Sequence, residues 1–283
     1  AEKHDFLEEC LTACKKYGVR FHFWKICWNM GTVTSDEYIN SMKKQHRLQI
    51  GSDGKENIRW LCPSHPANHQ MEIDSVVEVV KKYKVDGIHF DYIRYPGENY
   101  CFCENCRKKF EQFVGASVPD IQKTIASSEY MRLKWREFRC SNISSVIISA
   151  SKQIRALMPS VKISAAVFSN LPSAKNNVAQ DWEEWCRSGY LDFVCPMNYT
   201  PAVTRFETLL SRQLKWVHGA GCYPGIGVSV WKSYLPFENV YKLLDMVNIT
   251  RTFKTGGFTI FDYNNLIAKE IIPLCGVGIT RTK

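Results

Sequence analysis

Between a lysine-rich helix end (Lys81, Lys82, Lys84) and a Pro96-Gly97 turn, the chain runs Val85-Asp86-Gly87-Ile88-His89-Phe90-Asp91-Tyr92-Ile93-Arg94-Tyr95. Its side chains alternate. Ile88 and Phe90 fall on one face of an extended segment, and Gly87, His89 and Asp91 on the other. An apolar face backed by a face with a histidine and an aspartate suits a strand covered outside by helices and open to a site inside. Asp91 comes near the C-terminal end of that strand, where α/β barrels assemble their active sites. The position also suits a buried, hydrogen-bonded structural carboxylate, and spacing alone leaves both readings open.

Further strand candidates at 19–28, 161–169, 192–200, 222–230 and 256–263 are separated by helical patterns, among them 2–17, 71–83, 104–114, 129–157 and 181–187. With no strand hairpin in evidence, this order predicts a parallel α/β sheet. The 283 residues show no linker or low-complexity tract, so one domain is expected over 1–283, with an inserted loop at 29–70 and a cysteine-rich loop at 97–107. Loops of that length are functional or stapled in most compact domains. The net charge of +9 is dispersed over pairs such as Lys15-Lys16, Lys43-Lys44 and Lys81-Lys82. Such pairs read as solvated helix faces, and no nucleic-acid partner is expected. No run approaches the ~18 apolar residues of a membrane span. The chain opens on Ala without a signal peptide and is expected to be a processed, trimmed or partial product. Oligomeric state is not legible.

Four of the twelve cysteines form a pattern: Cys101-x-Cys103-x2-Cys106, with Cys62 upstream in Cys62-Pro63-Ser64-His65. Three thiolates in one loop and a fourth from a neighbouring strand end complete a tetrahedral zinc site with no open position, hence a structural one. His65 is the rival fourth ligand, and free thiols or a disulfide are the plain alternative. The other cysteines fall in helices and strands, where cysteine is a small hydrophobe.

The run Asp86-Gly-Ile-His-Phe-Asp-Tyr-Ile-Arg-Tyr-Pro96 resembles the fourth-strand signature of glycosyl-hydrolase-like family 10, a group of (β/α)8 barrels regarded as glycoside hydrolases. Gly18-x3-His22-x-Trp24 is similar to the third-strand element of that family. The resemblance therefore implies a (β/α)8 barrel that starts here at the helix before strand three, with two strands upstream of residue 1. It also implies a hydrolase acting on a polysaccharide or oligosaccharide, N-acetylhexosamine-containing glycans among them, in a secreted or periplasmic setting. The cysteine pattern is similar to the structural zinc cluster of family 42 β-galactosidases, whose catalytic Asn-Glu pair is absent here. More distantly, the strand resembles the DGxDxDxE strand of family 18 chitinases, but Ile93 stands where their acid glutamate falls. That departure keeps open the alternative of a catalytically inactive carbohydrate-binding barrel.

Glycoside hydrolysis ordinarily needs two carboxylates. Asp91 is the first, as general acid or nucleophile; Asp262, at the end of the last strand, and Glu98, in the loop after Asp91, are the candidates for the second. Assistance by a substrate N-acetyl group would need one protein acid only. His22, Trp24 and His89 are expected to line the cleft floor. Arg94 and Tyr95 are expected to meet substrate hydroxyls or carboxylates, Asn198 and Tyr199 to contact the sugar, and Trp28 and Trp231 to serve as stacking platforms.

Overall fold

The structure, a computed structural model, describes residues 4–228, 235–236, 239 and 241–279. The chain forms two compact units, one of Ala1–Ser164 with Pro172–Asp181 and one of Ala165–Leu171 with Trp182–Lys283.

In the first unit, α1 (Phe6–Lys16) leads into β1 (His22–Ile26), and α3 (Pro66–Lys82) leads into β4 (Gly87–Asp91). β1 and β4 pair in parallel with His22 beside Gly87 and Ile26 beside Asp91. β5 (Lys162–Phe168) lies next to β4, as the alternation of strands and helices predicts. Ile88 and Phe90 are fully buried. α3 packs along α6 (Glu129–Leu157), and both give their apolar faces to the core: Ile73, Val76 and Val80 from one, Ile143, Val146, Ile147 and Ile154 from the other. Each fully buried side chain of this kind contributes about 1.5–3 kcal/mol relative to exposure. α4 (Glu104–Val114) seats Phe110 against Trp135 and Phe138 of α6, at 5.0 and 5.5 Å between ring centroids.

The inserted segment is more ordered than its composition suggests. It holds α2 (Asp36–Lys44), capped by Ser35, and an antiparallel pair, β2 (Leu48–Ile50) and β3 (Glu56–Leu61). This hairpin corrects the expectation of none. β2 has three residues and β3 exposes Glu56, so neither shows a full alternating pattern. The turn is stated locally instead, by Gly54 at φ +77° and the Asp53 carboxylate accepting from Lys55 N. α7 (Leu171–Val178) is a helix through a polar stretch that carries no helical pattern among those named above. Leu171, Ala174 and Val178 are buried at helical spacing, a stripe hidden among polar neighbours such as Asn176-Asn177.

In the second unit, β5 continues beside β6 (Phe193–Met197), followed by β8 (Gly225–Gly227) and β9 (Thr259–Phe261), with the short β7 (Gly221–Cys222) also against β6. The pairings β6–β7, β6–β8 and β8–β9 are parallel. α9 (Val203–Trp216) buries Phe206, Leu210 and Gln213, and α10 (Tyr241–Thr252) buries Leu243, Met246 and Val247. Among the described residues no helix is long and apolar enough to cross a membrane.

Gly87 is fixed by contact. A Cβ at Gly87 would stand 2.2 Å from His22 Nδ1, so the side-by-side register of β1 and β4 requires a residue without one. Gly87→Ala is expected to destabilise the chain by about 1–3 kcal/mol, the usual cost of overpacking. Urea denaturation reads this directly; an unchanged midpoint would mean that the His22 ring moves aside freely.

Candidate functional site

β1 and β4 end alike. Trp28 and Tyr92, one residue or two past the strands, both adopt left-handed backbone at φ +54° and +53°, a rare conformation for aromatic residues. The sharp turns bring donors back onto Asp91. Tyr92 N donates to Asp91 Oδ1 at 2.6 Å, and Trp24 Nε1 donates to Oδ2 at 3.1 Å. The Asp91 carbonyl accepts from Cys27 N. Burial raises the Asp91 pKa above the ordinary carboxylate value, and the two hydrogen bonds and nearby Arg94 only partly offset that. The result is an oriented, desolvated carboxyl at a strand's C-terminal end, the setting in which side chains become acids or nucleophiles.

Arg94 follows after the turn. Its guanidinium carbon lies 4.8 Å from the Tyr92 ring centroid and 5.6 Å from that of Trp60, which the β3 strand supplies. Burial lowers its pKa, and the Asp91 charge works against that. Trp24 is half exposed, so its ring offers an open edge while its N–H is engaged. His89 Nδ1 bonds Ser164 Oγ at 2.9 Å, and burial pushes its pKa down to about 4, so it is neutral at pH 7. His22 is also lowered by burial.

Not every expected contact residue faces outward. Tyr95 is fully buried, its hydroxyl accepts from Asn142, and Arg139 covers its ring; it supports the loop rather than meeting substrate. Trp28 is buried in the core, with its backbone N–H donated to Glu72 Oε1, and that burial excludes a sugar platform. Asn198 is buried too. Its amide and that of Gln213 bond each other at 3.0 and 2.6 Å, so Asn198 anchors the end of β6. Tyr199, the next residue, is half-buried and stacks on Phe261 at 5.5 Å. Asp262 is exposed after β9 and accepts from Asn264 Nδ2. Glu98 is exposed in the loop after β4. Trp231 lies outside the described residues.

The four cysteines converge. The sulfurs of Cys62, Cys101, Cys103 and Cys106 all lie within 4.8 Å of one another and are buried. Cys62 is 3.6 Å from both Cys103 and Cys106. A tetrahedral ion with bonds of about 2.3 Å sets its sulfurs about 3.8 Å apart, whereas a disulfide needs about 2.05 Å. The geometry therefore suits one metal ion and contains no disulfide among these four. Backbone N–H groups already point at sulfur: Ile50 N at Cys101 and Cys106 N at Cys103, the latter closing the N-terminus of α4. Ser64 Oγ touches Cys62 and Cys106 at 3.2 and 3.0 Å. His65 is not a ligand; its Nδ1 caps α3 through Ala67 N.

Glu72, Trp60 and Ser64 support these groups and escaped sequence reading. Glu72 pairs with Lys25 Nζ at 2.7 Å under β1. Its one visible signal is a carboxylate placed on the apolar stripe of Ile73, Val76 and Val80.

Parallel strands alternating with helices, with a buried aspartate at a strand's C-terminal end, define the barrel type used by many glycosidases. The sequence model described as glycosyl hydrolase-like 10 matches residues 1–220, and the chain belongs to that family. The glycosyl hydrolase DigH of Escherichia coli (strain K12) is 25% identical over 237 residues, 73% of this chain and 49% of that protein. An S-layer-related protein of Niallia circulans is 22% identical over 243 residues, 77% of this chain and 14% of its own length. The chain thus spans less than half of these relatives. Among solved structures, the glycoside hydrolase domain of PgaB (BpsB) from Bordetella bronchiseptica superposes with a TM-score of 0.76 at 12% identity, covering 99% of this chain and 81% of that one. The fold is accordingly α/β of the (β/α)8-barrel type.

His89 carries a pH signature. A histidine whose folded pKa lies below its unfolded value lowers stability as pH falls through the unfolded value, with the full loss reached below the folded one. From 6.5 to about 4 this amounts to about 3 kcal/mol. His89→Gln, able to keep a bond to Ser164, should flatten the stability profile between those pH values in chemical denaturation; an unaltered profile would assign the acid sensitivity elsewhere.

Proposed function

We propose that the chain is a glycoside hydrolase of polysaccharides or oligosaccharides in which Asp91 is the general acid. One observation carries the reading: Asp91 is buried, raised in pKa, and fixed through both oxygens at the C-terminal end of β4. A carboxyl that keeps its proton to higher pH can deliver it to a departing glycosidic oxygen. Trp24 and Tyr92 N fix the direction of delivery. Arg94 meets substrate hydroxyls or carboxylates, and the open edge of Trp24 stacks on a sugar face. Glu98 and Asp262 are the candidate second carboxylates, and Tyr199 a sugar-contacting hydroxyl. Family membership and the names of the relatives support carbohydrate as the substrate class. The resemblance to glycosyl-hydrolase-like family 10 supports an N-acetylhexosamine-containing glycan and a secreted or periplasmic setting.

Asp91→Asn tests this. Turnover of a glycan panel should fall by about 10²-fold or more, the usual share of a general acid, with glycan binding kept. Loss in Glu98→Gln or Asp262→Asn then assigns the second carboxylate. A wild-type chain that binds glycan without turnover would favour the binding-only barrel, a reading to which the buried, unreactive Ile93 lends support.

The same reading places a structural zinc on Cys62, Cys101, Cys103 and Cys106. Four thiolates complete its coordination, so it would cross-link the end of β3 to the loop after β4 and take no part in bond cleavage. Elemental analysis should find about one zinc per chain, and its removal should lower the melting temperature. Lost turnover with an unchanged melting temperature would instead indicate a catalytic metal.

A further inference from the structure

α6 carries a positive charge into the interior. Arg139 is 2% exposed, and its donors go to main-chain carbonyls: Nη2 to Gly97 at 2.5 Å and Asn177 at 3.2 Å, Nη1 to Asn176 at 3.4 Å. Nε has no partner among the described residues, and no Asp or Glu there pairs with the guanidinium. A buried cation facing only neutral dipoles is costly unless an anion answers it.

The neighbouring titratable groups supply none at neutral pH. Tyr95, whose ring centroid lies 4.5 Å from the guanidinium, has its pKa raised by burial, and burial pushes the Cys140 thiol up to about 11. Asp181 is held by Lys175 Nζ at 2.9 Å. The cysteine cluster is the remaining source of negative charge: Cys101 and Cys106 lie near enough to act on the Arg139 guanidinium, and on Tyr95 beneath it. Trp135 and Phe138, on the same helix as Arg139, pack on Phe110 of α4, and Trp135 also stacks on Phe102 between Cys101 and Cys103. Four thiolates around one divalent ion carry a net charge of −2. Lys109 approaches the cluster as well, its Nζ on the Ser64 carbonyl at 2.6 Å.

We propose that Arg139 is the buried countercharge of the metal-loaded cysteine cluster, so that the metal and the guanidinium stabilise each other. The inference rests on the zinc reading above. In the metal-free protein Arg139 faces main-chain carbonyls and the Tyr95 ring; in the loaded protein it also offsets the tetrathiolate and ties the cluster to the Gly97 and Asn176-Asn177 carbonyls.

The test is zinc retention by the purified chain in competition with a chromophoric chelator, together with melting of loaded and stripped protein. Arg139→Gln should weaken zinc binding about tenfold or more, the range seen when outer-shell partners of a metal site are removed. Arg139→Lys, which keeps the charge and loses the planar fork, should retain zinc within a few-fold of wild type. Arg139→Gln should lower the melting temperature of the loaded protein and leave that of the stripped protein unchanged or raised. Zinc affinity unaltered in Arg139→Gln, equal weakening by Gln and Lys, or the same melting loss with and without zinc would each overturn the inference while leaving the zinc site standing. A wild-type chain that takes up no zinc overturns the zinc reading and this inference with it.

Discussion

The convergence of four buried sulfurs is the constraint on which the surroundings of Asp91 depend. Cys62 directly follows β3, and Cys101, Cys103 and Cys106 lie just beyond the loop that carries Arg94, Tyr95 and Glu98. That loop is held at further points along its length. Gly97 gives its carbonyl to Arg139, and Tyr95 takes Val178 O through its backbone N–H. Sulfurs from two segments far apart in the chain meet in one buried cluster and so fix the far end of that loop. The hairpin gains by the same device, because Ile50 N and O both engage the Cys101–Phe102 segment. Trp60, on the strand that ends at Leu61 beside Cys62, is thereby held where it covers Arg94.

Under this sits a polar framework that an apolar core would not need. Glu72, 1% exposed, takes Trp28 N on one oxygen and Lys25 on the other, pinning both ends of the last turn of β1 to α3. Asn68, on the same helix, receives Arg47 Nε and donates to the Arg47 and Cys62 carbonyls. Such groups stabilise only when all partners are present, so each specifies one arrangement. One helix thus meets the β1 segment at one point and the cysteine segment at another.

Much of this was legible in the sequence. The alternation around Asp91, the strand order and the cysteine spacing are local patterns, and the parallel sheet and the four-sulfur cluster follow them. What was not legible is set by partners far apart in the chain. Nothing near Tyr95 says that Arg139 will cover it, and nothing near Asn198 says that Gln213 will occupy its amide. The alternation rule places a residue on a face, but the face of a strand's last residues is decided by the turn that follows. Trp28 shows this: a left-handed turn carries it into the core, where simple counting leaves it at the rim. The choice between Cys62 and His65 likewise hinged on α3 starting at Pro66, which uses His65 as the cap.

Two left-handed aromatic residues at the ends of adjacent parallel strands are an expense of about 1 kcal/mol or more each that packing alone does not demand. At Tyr92 the return is specific. The turn aims Tyr92 N at Asp91 and sends the chain back so that Arg94 comes to rest against the Tyr92 ring, beside the carboxyl it influences. At Trp28 it lets Cys27 N reach the Asp91 carbonyl while Trp28 N reaches Glu72. Both turns converge on one residue. A carboxyl destabilised by burial, yet held through both oxygens and its carbonyl, costs the core more than a smaller apolar residue would.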